Sequence, residues 1–126
     1  MRKRVSRYED LDVYQAALDL QQEIFSISKA WPKAELYALT DQIRRSSRSI
    51  GSNIAEAWAK RRYEAHFASK LTDADGEQAE TRHWLRTASA CEYLDVPTHA
   101  KLEHSCCSIG AMLGKMISNA ETWVQH

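Results

Sequence analysis

Glu80-Thr81-Arg82-His83 sets a carboxylate and an imidazole at the i, i+3 spacing with which four-helix bundles hold di-iron or di-manganese pairs. Such a site needs two Glu-x-x-His pairs and a carboxylate from each of the other two helices. Only one pair is present, and His83 falls opposite the apolar stripe of its own segment, so no metal is expected there. His104 and Cys107 share a helical face, with His99 as a distant third, but two ligands do not make a zinc site. Cys106 lies in an apolar stripe and reads as a small core residue. Gly51, Gly76, Gly110 and Gly114 are scattered and form no phosphate-cradling loop; Gly110-x-x-x-Gly114 instead suits close helix packing. No Ser, His and Asp fall into a triad-like spacing. No catalytic, cofactor or metal residue is therefore assigned.

The remaining chemistry is cationic. Arg2, Lys3, Arg4 and Arg7 form a basic arm, Arg44, Arg45 and Arg48 follow one helix, and Lys60-Arg61-Arg62 closes it. Guanidinium and ammonium groups are the natural partners of phosphate oxygens. Candidate nucleic-acid contacts are accordingly Arg2, Lys3, Arg4, Arg7, Arg44, Lys60, Arg61 and Arg62. Lys60 to Arg62 also sit where a helix dipole favours positive charge, so an explanation without nucleic acid stays open.

These groups must be carried by helices. Val13, Ala17, Leu20, Ile24, Ile27 and Trp31 recur at spacings of four and three, an amphipathic stripe that Asp10 or Asp12 would cap and Trp31-Pro32 would end. A second stripe is Leu39, Ile43, Ser47, Ile50, Ile54 and Ala57, with a start expected near Ala34-Glu35. The third, Phe67, Leu71, Ala74, Gln78, Thr81, Leu85 and Ala88, keeps the period with two polar members. After the turn Asp95-Val96-Pro97-Thr98, with Thr98 as the expected cap, the fourth runs Leu102, Cys106, Ile109, Leu113, Met116, Ala120 and Trp123. Helices of about 20–25 residues would each be roughly 30–38 Å long. Matched lengths and short connections predict an all-α, antiparallel up-down-up-down four-helix bundle. One domain spans residues 1–126, with residues 1–8 as a flexible basic arm.

Composition narrows the classes. The 126 residues carry 17 basic and 17 acidic side chains, which argues against a generic nucleic-acid coat. The balance hides a polarity: 12 basic and 8 acidic groups lie in residues 1–62, against 5 and 9 in residues 63–126. No apolar run suits a signal peptide or a membrane span, and three cysteines without a Cys-x-x-Cys pair suit no disulfide framework. A cytoplasmic protein is expected.

The outer side of the second helix is unusual. Asp41, Arg45, Arg48, Ser49, Ser52, Ala55, Glu56 and Ala59 include far more Ser and Ala than a solvated face normally carries. Small side chains admit a second helix, and Arg and Glu then pair across the contact. Arg45, Arg48, Ser49, Ser52, Ala55, Glu56 and Ala59 are the candidate oligomer interface. Trp58 and Trp84 flank their stripes, where a tryptophan more often widens a small core than anchors a partner.

The order of motifs resembles the family of 23S rRNA intervening-sequence proteins. Its carriers are Tyr8-Glu9-Asp10-Leu11-x-Val13-Tyr14-Gln15-x-Ala17 and Trp31-Pro32-Lys33-x-Glu35-x-Tyr37-x-Leu39-Thr40. More specific is Gln42-Ile43-Arg44-Arg45-Ser46-Ser47-x-Ser49-Ile50-x-x-Asn53-Ile54-Ala55-Glu56. Ala79-Glu80-Thr81 and Ile109-Gly110-x-Met112-Leu113 also fit. Tyr14, Ala38, Ala57 and Arg82 stand where the family commonly has tryptophan, glycine, glycine and glutamine. The resemblance implies a bacterial four-helix bundle that assembles as a homo-oligomer, a pentamer in its retroelement-accessory relatives. Those relatives bind nucleic acid and a reverse transcriptase and are strongly basic; the neutral charge here counts against that role. The function expected is a non-enzymatic oligomeric protein binding RNA or ribonucleoprotein, and the alternative is a homo-oligomeric protein-interaction scaffold. No small-molecule substrate, cofactor or membrane partner is inferred.

Overall fold

The computed structural model describes residues 4–124. Four α-helices carry the chain: α1 Asp12–Ser28, α2 Leu39–Ala59, α3 Glu64–Ala90 and α4 Val96–Ser118. Single 3-10 turns at Tyr8–Asp10, Lys33–Glu35 and Ala120–Thr122 flank them, and the described residues contain no strand. No described helix is long and apolar enough to cross a membrane.

Specific cross-contacts fix the directions. Thr81 of α3 bonds Ser46 of α2, while Lys70, earlier in α3, pairs with Glu56, later in α2. Arg82 reaches Glu103, and Gln78, earlier in α3, lies against Gly110, later in α4. Likewise Ser28 of α1 accepts from Arg44 while Tyr14, earlier in α1, lies beside Gly51. Consecutive helices run antiparallel, and Lys101–Glu23 closes α4 onto α1.

All six stripe positions of α2 and all seven of α3 are buried. Fully burying a Leu, Ile or Phe contributes about 1.5–3 kcal/mol, so Phe67, Leu71, Leu85, Ile43, Ile50 and Ile54 dominate the α2–α3 seam. The polar members are paired except at Gln78 Oε1, which is buried without a hydrogen-bond partner among the described residues. Thr81 Oγ1 lies 2.9 Å from Ser46 Oγ and 2.8 Å from the Glu77 carbonyl, and Gln78 Nε2 donates to Asp75 at 2.9 Å. Trp58 is buried and meets Trp123 edge-on at 6.0 Å, which makes it a core residue; Trp84 is half-buried against the same core.

Element ends depart from the sequence reading. Leu11, not Asp10 or Asp12, occupies the position before α1; the Asp10 carboxylate instead accepts the Ser6 and Arg7 amides at 3.1 Å. Helix α1 stops at Ser28, because the Ala30 and Trp31 amides reach back only three residues, and that tighter turn folds Trp31 onto the core. Residues Lys33–Glu35 make an isolated turn, Ala38 leaves helical geometry at φ −125°, ψ −106°, and α2 begins at Leu39 rather than near Ala34. Asp95, not Thr98, caps α4 by accepting the Thr98 amide at 2.8 Å; Val96-Pro97 form its first turn, where a missing N–H costs nothing. Glu92 takes φ 64°, directing its own and the Tyr93 amide onto the Ser89 and Ala88 carbonyls of α3.

Candidate functional site

Helix α2 carries most candidate residues, and its apolar stripe leaves two flanks free. The flank toward α1 forms an open groove of about 600 Å³. Arg48, Ser52, Ala55, Glu56 and Ala59 line it from α2, with Gly51 at its floor. Tyr8, Tyr14, Leu18 and Gln21 face them. Of the expected interface, Arg45 and Ser49 are not groove residues. Burial and then Glu80 raise the Glu77 carboxyl of α3 above its usual range, and the charge of exposed Arg45 partly opposes that shift. The Ser49 carbonyl accepts from Ser52 and Asn53, which occupies both side chains within the helix. Glu56 is paired inside the chain, 2.8 Å from Lys70, and that ammonium holds its carboxyl below the usual range. Tyr8 and Tyr14 meet edge-on at 4.9 Å and wall the groove on the α1 side.

The cations fall into separate groups. Lys60 and Arg62 are exposed just past the end of α2. Arg61 Nη1 donates to the Trp58 carbonyl at 3.0 Å, and its guanidinium lies 4.0 Å from the Trp58 ring centroid. Arg62 stands 5.8 Å from the Tyr63 ring, which in turn packs on His66. Among the described residues no carboxylate lies within ion-pair distance of Lys60, Arg61 or Arg62. Arg4 and Arg7 are exposed, and Arg7 is paired to Glu9; Arg2 and Lys3 lie outside the described residues. Arg44 is apart from both groups. Its Nε donates to Ser28 Oγ at 2.9 Å, toward the other end of α1. Sequence reasoning therefore grouped in one set cations that the bundle distributes between an end and a side.

The groups with metal or nucleophile chemistry stay dispersed. His83 is exposed and packs on Trp84, whereas Thr81, within the same motif, points into the core. His99 lies 3.8 Å from Glu103, while His104 faces a shallow dent with Asp19 and Glu23. Among the described residues no three His, Cys, Asp or Glu side chains converge as metal ligands. Burial pushes the Cys106 thiol up to about 12, which leaves it protonated and unreactive.

The profile of the 23S rRNA-intervening sequence protein family matches residues 9–115. This chain belongs to that family. Its fold is similar to a crystal structure of a protein of unknown function from the S23 ribosomal protein family of Bacteroides thetaiotaomicron. The TM-score is 0.76 at 28% identity, over 84% of this chain and 95% of that one. No functionally curated protein matches the chain. Neither of these two descriptions is that of an enzyme.

Within this intervening-sequence protein the departures from the family pattern are accommodated. Ala57 is fully buried, so the position commonly held by glycine takes a methyl without opening the seam. The Tyr14 ring packs beside Gly51, where a Cβ would stand 3.5 Å away in ordinary van der Waals contact. Gly110 makes room for Gln78, whose Nε2 would stand 2.8 Å from a Cβ there, whereas Gly114 faces open space and contributes nothing to packing within the chain. The residues that sequence reasoning missed are Phe25, Lys29, Tyr8, Leu18 and Gln21. The visible signal for the first two was their i, i+4 spacing, repeated by Arg44 and Arg48.

Proposed function

We propose that this protein is a non-enzymatic, self-associating binding protein whose partner is RNA or ribonucleoprotein, engaged through phosphates. The observation that carries the reading is the Lys60-Arg61-Arg62 group. In a chain with as many carboxylates as cations, Arg61 lies on the Trp58 ring and bonds its carbonyl, Arg62 lies beside the Tyr63 ring, Lys60 is exposed, and none of the three has an ion pair among the described residues. A guanidinium laid on an indole keeps its outer N–H groups directed to solvent, a geometry that suits a phosphate or an unstacked base. The macrodipole also favours positive charge there, but it does not require the aromatic platforms.

Self-association is the second part of the proposal. The groove beside α2 offers small side chains and two tyrosines, which a helix of a second copy fills at close approach. Family resemblance makes five subunits the expected number. The groove alone favours another reading, a homo-oligomeric scaffold that binds proteins and no nucleic acid.

Titration of a structured RNA at two salt concentrations, alongside solution mass by light scattering, tests both parts. Salt-dependent binding that weakens and loses salt dependence in K60E/R61E/R62E, with unchanged mass, supports the RNA reading. An assembly that binds no RNA at low salt leaves the scaffold. A mass equal to the 14.4 kDa chain at micromolar concentration removes self-association.

A further inference from the structure

Three cations surround one aromatic ring on the side of the bundle, away from the Lys60 end. Lys29 Nζ lies 4.7 Å from the Phe25 centroid, the Arg44 guanidinium 4.8 Å and the Arg48 guanidinium 5.4 Å. Lys29 and Arg48 are exposed; Phe25 and Arg44 are half-buried. Among the described residues none of the three has a carboxylate within ion-pair distance. Arg44 is held in place, since its Nε donates to Ser28 Oγ, which itself donates to the Phe25 carbonyl at 3.1 Å.

Like charges gathered this closely repel one another, and the ring quadrupole offsets only part of that cost. The macrodipole accounts for Lys29, just beyond the C-terminus of α1, but not for two arginines in the N-terminal half of α2. A group with two or more negative oxygens relieves the repulsion and accepts from both guanidiniums at once. We infer that Phe25, Lys29, Arg44 and Arg48 form a phosphate-binding site, with Ser28 fixing the inner arginine. Arg48 thereby belongs to this site as well as to the rim of the groove. Its ligand chemistry is a phosphate group, supplied either free or by an RNA backbone. A helical rise of about 1.5 Å per residue sets Arg48 roughly 18 Å along the α2 axis from Lys60, so this site and the α2 end are separate.

The test is a titration of the intact, isotopically labelled protein with inorganic phosphate, read by NMR at the Arg44 and Arg48 Nε–H groups and the Phe25 ring. Chloride at matched ionic strength is the control. Saturable shifts at these signals with phosphate and not with chloride are expected. Arg48→Gln with Lys29→Gln, both at exposed positions, should weaken binding by at least about tenfold while K60E/R61E/R62E leaves it unchanged. Arg44→Gln should do the same, and the exposed double variant decides the matter should that one unfold. Shifts that fail to saturate, that chloride reproduces, or that persist unchanged in the double variant overturn the site. A second titration with a short RNA identifies the source: shared, competing signals mean backbone phosphate. Phosphate binding that RNA does not compete away keeps the site and assigns it to free phosphate. RNA binding and phosphate binding are thus read separately.

Discussion

Replacing Thr81 by valine removes one hydroxyl from the α2–α3 seam and changes the shape of the side chain little. Helix α2 carries both candidate surfaces, so what holds it against α3 decides where they stand. In the native protein the Thr81 hydroxyl lies within bonding distance of Ser46 Oγ and the Glu77 carbonyl; Thr81 and Ser46 are buried and Glu77 half-buried. The Glu77 carbonyl keeps its helical partner after the change, and Ser46 keeps a longer bond to the Ile43 carbonyl at 3.3 Å. No group is wholly orphaned, so the loss should be that of one buried hydrogen bond, about 1–1.5 kcal/mol. Ser46→Ala should cost about 0.5–1 kcal/mol, because Thr81 still reaches Glu77. The double variant should fall short of the sum by about 0.5–1 kcal/mol, since the second removal no longer breaks the shared bond. An unfolding entropy of about 2.1 cal/mol/K per residue converts 1 kcal/mol into about 4 °C for a chain of this length. Urea denaturation and thermal scans of the four proteins at one fixed concentration form the cycle. A Thr81→Val loss below about 0.3 kcal/mol, or strict additivity, would refute the argument that this pair ties α2 to α3.

Glu92 occupies the left-handed region at the end of α3, so Glu92→Gly should raise stability by about 0.5–1 kcal/mol, read by urea midpoint. Gly76 and Gly114 are helical and meet nothing within 4 Å, so alanine at either should add about 0.5–1 kcal/mol by the same assay. A Gly114→Ala variant that loses assembly mass instead would place that face in a subunit contact. An aromatic disulfide reagent at pH 8 should titrate exposed Cys91 and Cys107 in the folded chain and reach Cys106 only after denaturation. The Asp95 carboxyl is held below its usual range because it accepts hydrogen bonds from Thr98. Its stabilisation is therefore complete above the ordinary carboxylate pKa and lost as pH falls through the lower folded value. Asp95→Ala should remove that acid-side slope from a series of thermal midpoints.

The fold was readable because its period survives interruption. Gln78 and Thr81 keep the α3 stripe although both are polar; Thr81 is bonded to Ser46 and Glu77, whereas Gln78 bonds Asp75 through Nε2 and leaves Oε1 without a partner among the described residues. Helix ends were less legible, since they depend on which of several eligible groups reaches a free amide. Asp95 and Thr98 are both acceptable caps, and only the placement of Pro97 in the first turn decides between them. Glu35 looked like the first turn of α2, yet its carboxylate binds Tyr93 Oη at 2.9 Å and the Leu39 amide at 3.5 Å from outside the helix. The cationic residues were visible as types, but their grouping was not. Sequence order puts Arg44 beside Arg45, whereas the bundle turns Arg44 toward Ser28 and Phe25 of α1 and Arg45 toward α3. The groove was half visible: its α2 wall followed from small residues at helical spacing, and its α1 wall needed the packing of Tyr14 over Gly51.

The central claim is that unpaired cations of α2 and its end engage phosphates, and the salt slope of RNA affinity tests it most directly. Three phosphate contacts from Lys60, Arg61 and Arg62 should give log K against log salt a slope of about −2 on single-stranded RNA for each engaged subunit. K60E/R61E/R62E should flatten that slope while leaving the assembly mass unchanged. Binding that is indifferent to salt, or a slope that the charge reversal does not alter, would contradict the account.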